Sequence, residues 1–421
     1  VYSLHPQKKH ISKVFARVVP VYDARFLDAY TIIVGETTMI KGFRVKILPN
    51  ENQQKEIIKF CHAAKFAYNW AVATEEENYK NGGKFISGYS LLKIFTEFKN
   101  KKNNLWLKEI SGRATKVAVL NATTAYENFF KKRADKPKFK SRKGSKMKCA
   151  THESSIKFDS NTVKLEKLGK VKLAQKNRIP FGHNIKYINP KIEYDKINFW
   201  ISVGVEIIDN QDNDKPKTEA IGIDLGIKTL ATCSNGIINN KPNINKEKKK
   251  LKRLQKQASR HYQKMIEESR QTKTKFNKLQ KSKNLLKLEK EILIIYQRIS
   301  NILNTNIHTF TSSLIKLNPK AIVIEDLDIK GMSKNKHLSN KISEAKFYEI
   351  RKQITYKCNW NNIKLVIADR WFASSKICSE CGNKKDKLSL SERTYICEKC
   401  GSILDRDLNA SINLKNLAYT A

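Results

Sequence analysis

Apolar and polar residues alternate loosely over 39–48 (M-I-K-G-F-R-V-K-I-L), the pattern of a β-strand, and Pro49 stops it. Asn50 is placed to cap a helix. From there Ile57, Cys61, Ala64, Tyr68 and Ala71 recur on one stripe at helical spacing until Gly82-Gly83. Two more helical stretches are read at 90–100 and 112–132, the second with Val117, Leu120, Thr124 and Phe130 as inward candidates. Strand patterning takes over at 156–207. It is clearest where Ile197, Phe199, Ile201, Val203, Val205 and Ile207 alternate with polar or small residues, Trp200 apart. With the 39–48 strand, these segments predict a β-barrel into which a helical module at 51–133 is inserted.

The segment 210–218 (N-Q-D-N-D-K-P-K-T) is turn-rich and marks the clearest boundary. Beyond it, A-I-G-I-D-L-G-I-K-T-L-A-T-C-S predicts two strands across a glycine turn, and Asn235-Gly236 the next turn. The lysine-rich stretch 246–317 predicts two antiparallel helices. Leu285, Leu288, Ile292, Ile295, Ile299 and Leu303 form the apolar face of the second, and the outer face is basic. Buried strands follow at 321–327 and 364–369, with a helix at 344–360 between them and another starting at L-N-A-S-I-N. The fold class expected is multidomain α+β.

Composition narrows the partners. The chain has 421 residues, of which 40% are hydrophobic, enough for real cores. Its 82 Lys+Arg against 40 Asp+Glu give a formal net charge of +42, more than solubility requires. DNA or RNA is the partner this implies, bound with a strong salt dependence; a solvated lysine-rich surface is the plainer reading. The basic run 131–148 carries Phe139 and reads as a nucleic-acid backbone contact rather than only a linker. No apolar run of about 18 residues predicts a membrane span, and no signal-peptide pattern opens the chain, so the cytoplasm is expected. Residues 1–38 read as a leader with no assigned role.

Two constellations carry chemistry. Asp224 lies in the apolar strand I-G-I-D-L-G, Glu325 ends A-I-V-I-E, and Asp407 or Asp405 stands where a late helix begins. Carboxylates in apolar strands are costly unless something compensates. A divalent cation would do so, in the manner of an RNase H-like site with two Mg²⁺ or Mn²⁺ ions about 3.5–4 Å apart. The bland alternative has Asp224 capping a turn and Glu325 pairing with a surface lysine. The second constellation is Cys378-x2-Cys381-x15-Cys397-x2-Cys400, with Gly382 and Gly401 after the pairs. Four thiolates at that spacing predict a closed structural Zn²⁺ site, with an iron–sulfur cluster or redox dithiol as alternatives. Cys61, Cys149, Cys233 and Cys358 are scattered and read as buried small hydrophobes.

These residues together resemble the TnpB family of transposon-encoded RNA-guided endonucleases, similar to type V CRISPR effectors. The resemblance runs over about 39–417. Its markers are I-G-I-D-L-G-I-K-T-L-A-T, I-V-I-E-D-L-D-I-K-G-M, D-R-W-F-A-S-S-K-I-C-S-E-C-G and C-E-K-C-G before D-R-D-L-N-A-S-I-N, with A-Y-N-W-A-V a weaker one. It implies a RuvC triad of Asp224, Glu325 and Asp407, the last chosen over Asp405 for standing two positions before Asn409-Ala410. It also implies zinc on the four cysteines, a noncoding guide RNA from the element end, and cleavage of target DNA beside a short transposon-adjacent motif, in support of transposon maintenance. The implied division is a wedge-like barrel at 39–50 and 134–210, a recognition module at 51–133, a RuvC-like nuclease at 219–375 and 403–421, and a zinc-ribbon insert at 376–402. The leader and Lys65, where an arginine is expected, depart from the family. An inactive RNA-guided repressor and a transposase are the competing functions. An intact triad weighs against the first, and the carboxylate order Asp, Glu, Asp against the second.

Overall fold

The computed structural model describes residues 38–420 apart from 142–146, 183–184, 209–216, 274–278, 336 and 390. The expected leader, except its last residue, and most of the turn-rich boundary lie outside the described residues. Strand β1 (Thr38–Leu48) leads into helix α1 (Glu51–Lys80). The Asn50 side chain accepts the Gln53 N–H at 2.9 Å, and the Gln53 side chain accepts the Asn50 N–H at 3.0 Å. This reciprocal cap is worth about 1 kcal/mol. Helix α2 (Gly88–Asn100), a 3₁₀ segment (Lys102–Lys108) and α3 (Gly112–Phe130) follow.

The chain then adds β2 (Met147–Ala150), β3 (Lys157–Phe158), β4 (Thr162–Leu165), β5 (Gly169–Leu173), β6 (Tyr187–Tyr194) and β7 (Phe199–Ile208). Strand β1 pairs antiparallel with β7 and, at its end, with β5. The alternation in β7 is as expected: Phe199, Ile201, Val203 and Val205 are buried. They share one continuous core with Ile57, Ala64 and Ala71 of α1 and Val119 and Tyr126 of α3.

The expected barrel does not form. The seven strands run β2-β6-β7-β1-β5-β4-β3, and the end strands β2 and β3 do not pair with each other. Alternation predicts a dry face but not what covers it. Here helices α1 and α3 cover that face, and β3 is only two residues long, so the sheet stays open instead of curling onto itself.

In the second half, β8 (Ile221–Asp224), β9 (Thr229–Cys233) and β10 (Ile238–Asn240) form an antiparallel meander. Helices α4 (Asn245–Gln271) and α5 (Lys283–Lys316) are the expected pair and pack through Leu251, Leu254 and Ile295. Next come β11 (Ala321–Glu325), α6 (Ile329–Ser333), α7 (Ser339–Ala345), α8 (Phe347–Trp360) and β12 (Lys364–Ala368). The helix expected at 344–360 is divided. Lys346 adopts a left-handed φ of 50°, and its ammonium donates to Ser300 Oγ at 3.1 Å and Asn304 Oδ1 at 2.7 Å, tying the break to α5. A hairpin of β13 (Thr394–Ile396) and β14 (Ile403–Asp405) precedes α9 (Arg406–Thr420).

The sheet order is β10-β9-β8-β11-β12, with β11 parallel to both β8 and β12. Its two faces are covered by different helices. Ile221, Ile223, Ile322 and Ile324 pack with residues of α5 and α8. Val323 points the other way, into a cluster with Ala368, Phe372 and Leu414 of α9. Coverage on both faces is why these strands read as unbroken apolar runs. By the same two-residue period, Gly222, Asp224 and Glu325 belong to the α9 face.

Candidate metal centres

Asp224 and Glu325 end neighbouring parallel strands. Ile223 is in register with Ile324, and the carboxylates come one residue later on each strand. Helix α9 crosses this face at close range because residue 222 is glycine. A Cβ there would sit 2.0 Å from the Ser411 carbonyl oxygen and 2.3 Å from the Lys415 nitrogen, so no side chain fits. Asp407 lies seven residues before Leu414, on the same helical stripe, and is thereby carried to the strand ends.

The three carboxylates are electrostatic neighbours. Burial, and then the charges of Glu325 and Asp407, push the Asp224 carboxyl well above its ordinary value. Burial also raises Glu325, against the hydrogen bond that Ser374 Oγ donates to it at 2.7 Å. Among the described residues, no ion pair reaches Asp224 or Glu325. The nearby arginines go instead to the next residue, Asp326, which pairs with Arg351 and, at 2.8 Å, with Arg370. Asp328 caps α6 by accepting the Gly331 N–H at 3.0 Å. Each acid of E-D-L-D thus has a different task, and Glu325 alone faces Asp224.

Asp405 and Asp407 also divide their work. Asp405 Oδ1 accepts the N–H groups of Asp407 at 2.9 Å and Leu408 at 3.0 Å, capping the first turn of α9. Asp407 is half-buried, and its nearest basic partner is Arg393 at 3.8 Å.

The cysteines form a tighter cluster. Sγ of Cys378 and Cys400 are 3.7 Å apart, those of Cys381 and Cys397 3.5 Å, and all four lie within 4.8 Å of one another. Sulfur atoms about 2.3 Å from a tetrahedral centre would be separated by about 3.8 Å, so the cluster is the right size for a metal ion. Among the described residues it is the one group of ligand atoms so close; the carboxylate oxygens are more widely spread. Two matching knuckles build it. The Cys378 N–H donates to the Asn383 carbonyl and the Cys397 N–H to the Ser402 carbonyl, both at 2.8 Å. Gly382 and Gly401 take φ of 72° and 74°, where a side chain would be strained by backbone conformation rather than by space. The backbone N–H groups of Cys400 and Lys399 help to draw the Cys397 thiol down to about 6. Tyr395 is buried against Cys378 and Cys397.

Four residues that join the clusters were not singled out for this role in the sequence. Asn409, fully buried, donates to the Ile377 carbonyl at 2.7 Å and accepts the Ser379 N–H at 2.9 Å. Asn413, one turn on, donates to the carbonyls of Ser374 at 2.8 Å and Ile377 at 2.6 Å. Ser374 then holds Glu325, and Gly222 admits the helix. The signal was present for the asparagines: two amides at i and i+4 on an otherwise apolar helix face need internal partners.

Three family models match the chain: "Helix-turn-helix domain" at 39–84, "Probable transposase" at 202–336 and "Cas12f1-like, TNB domain" at 347–414. Together they take in more than half of it. A "Putative RNA-guided DNA endonuclease" from Streptomyces pristinaespiralis is 28% identical over 375 residues, spanning 89% of this chain and 88% of its own. The chain belongs to the TnpB/Cas12f-like family. Another TnpB/Cas12f-like relative, InsQ of Escherichia coli K12, named in the same way, is also 28% identical, over 89% of this chain and 91% of its own. The fold is similar to that of Cas12f1 in a complex with sgRNA and target DNA. The TM-score is 0.50 at 12% identity, covering 90% of this chain and 99% of that one. Within this TnpB/Cas12f-like chain the helix-turn-helix match falls on β1 and the single long helix α1. The TNB match takes in α8, β12, the cysteine hairpin and α9 as far as Leu414. No helix among the described residues is long and apolar enough to cross a membrane.

Proposed function

We propose that this protein is an RNA-guided DNA endonuclease, a RuvC-like enzyme in which Asp224, Glu325 and Asp407 form the cleavage centre. The observation that carries the reading is the meeting of three carboxylates from β8, β11 and α9, two of them raised by burial and without an ion-pair partner among the described residues. Such a set is unfavourable when empty and suits a hard divalent cation, Mg²⁺ or Mn²⁺, held by all three. When bound, that cation supplies Lewis acidity and positive charge for phosphodiester hydrolysis. The chain's own residues do the positioning. Ser374 fixes the Glu325 carboxylate, Gly222 lets α9 bring Asp407 close, and Asp405 caps the helix that carries it. The use of Asp405 as a cap supports Asp407 as the metal ligand.

The four cysteines hold a Zn²⁺ ion that staples the hairpin at 376–402, whose own apolar core is small. The return of α9 onto β8 supports treating this hairpin as an insert between the nuclease segments 219–375 and 403–421. The pairing of β1 with β7 similarly supports one unit at 39–50 and 134–210 with helices 51–133 inserted. A guide RNA and target DNA are the partners, in keeping with the net charge of +42 and with the names of the relatives. The test is plasmid cleavage by the purified protein with the noncoding RNA copied from the adjacent element end, with and without Mg²⁺. Guide-dependent, Mg²⁺-dependent cutting is expected; no cutting with any adjacent motif overturns the reading.

A further inference from the structure

The turn after β12 is fastened at several points. The Asp369 carboxylate accepts the Trp371 N–H at 2.8 Å, and the Asp369 carbonyl accepts the Phe372 N–H at 3.0 Å. Arg370 is held by Asp326 at 2.8 Å, beside Glu325. Phe372 packs into the cluster of Val323, Ala368 and Leu414. Ser374 donates to Glu325 and is itself held through its carbonyl by Asn413. In the middle of this turn, Trp371 is 86% exposed, more than any other large hydrophobic side chain among the described residues.

Leaving so large a ring in water forgoes about 1.5–3 kcal/mol of burial, and nothing about the turn itself requires tryptophan. The ring is not on a loose loop tip. Three virtual bonds separate its Cα from that of Ser374, a distance of at most about 11 Å. That is about three stacked nucleotides at roughly 3.4 Å each. A flat aromatic surface fixed at that reach from the carboxylates, on a chain of charge +42, suits the face of a nucleobase.

We propose that Trp371 is a stacking platform for a base of the single strand whose phosphate is presented to Asp224, Glu325 and Asp407; this rests on the nuclease reading of those carboxylates. Stacking reads a base face and not its edge, so Trp371 sets where the strand lies without setting its sequence. It is a substrate contact, not a metal ligand.

The experiment uses the full chain carrying Asp224→Asn, without added divalent cation, and single-stranded DNAs with 2-aminopurine at successive positions. Quenching at one position is expected. Adding Trp371→Ala should abolish the quench and weaken binding by about 5- to 150-fold, the range of one base–aromatic stack. Trp371→Phe should retain most of both, which separates stacking from any folding defect. Unchanged binding and quenching in Trp371→Ala overturn the proposal, as does a variant whose only change is loss of self-association by sedimentation. The readout does not involve cleavage, so it can fail while Asp224→Asn still abolishes cutting. In the same way, the quench can stand if that variant cuts.

Discussion

The cysteine cluster and the carboxylate cluster are joined by the short path from the hairpin into α9, yet they are built in opposite ways. The thiols come from two adjacent knuckles with the same hydrogen-bond pattern, and they lie within 4.8 Å of one another. The carboxylates come from β8, β11 and α9, and only the folded sheet brings them near each other. The first site is closed and completed by its own ligands. The second is more loosely spaced, and on the reading proposed above its carboxylates would hold their cation with coordination positions left for substrate. A structural centre needs saturation, whereas a reactive one needs unfilled positions, and local against distant assembly follows that difference.

The comparison can be broken most sharply at Asp224. Asp224→Asn is expected to lower guide-dependent cleavage by about 10³-fold or more, since a cation's contribution of several kcal/mol is lost. The same substitution should raise the thermal midpoint of the metal-free protein, by about 2–4 °C for each 1 kcal/mol of repulsion relieved. The sign follows from linkage. The folded-state values of Asp224 and Glu325 are raised, so their contribution to stability is present at low pH and is lost as pH climbs through those raised values. Scanning calorimetry across pH, with and without Mg²⁺, checks this; a lowered midpoint in Asp224→Asn would show that the carboxylate is a structural partner.

Next in size is the cysteine side. Replacing Cys378 and Cys381 with serine should release one equivalent of zinc and open residues 376–402 to hydrogen exchange. Cleavage should fall too, because Asn409 and Asn413 lose the ordered carbonyls that fix α9. Retained zinc by atomic absorption would refute the ligand set. Ser374→Ala is expected to act more mildly, about 10- to 100-fold on activity. It removes the hydrogen bond that opposes the rise of Glu325, so the acid limb of the pH–rate profile should move to higher pH. A profile that keeps its shape would place Ser374 outside the site's electrostatics. Smallest of all is Asp405→Ala: about 1 kcal/mol of capping lost in denaturant titration, with cutting largely kept, whereas Asp407→Ala abolishes it. The reverse result would exchange their roles.

Much of this was legible in the chain. The spacing of the cysteines and the glycines after them carries the knuckles, because each is a local turn whose geometry is written in five residues. Asn50 and Gln53 announce the start of α1 for the same reason. The unbroken apolar runs of β8 and β11 mark strands covered on both faces. The barrel was misread because alternation in β1 and β7 requires a cover but does not say whether a helix or another strand supplies it. The break at Lys346 was missed because it depends on Ser300 and Asn304, which reach it only through packing of α5.

Residue types and local spacing alone thus indicated the main strands and long helices, the basic character, the four clustered thiols and the presence of acids in costly places, but not β2 or the β13–β14 hairpin. Those properties act over a few residues, within reach of backbone turns and helical or strand periods. The tertiary structure decided which acids meet and which are spent elsewhere. Asp326 is neutralised by arginines, while Asp328 and Asp405 serve as caps. Asp224 and Glu325 are aligned by a parallel register, and Asp407 is brought to them by a helix resting on Gly222. Charge and burial are properties of the assembled surroundings, and in this chain those surroundings are contributed by segments far apart in sequence.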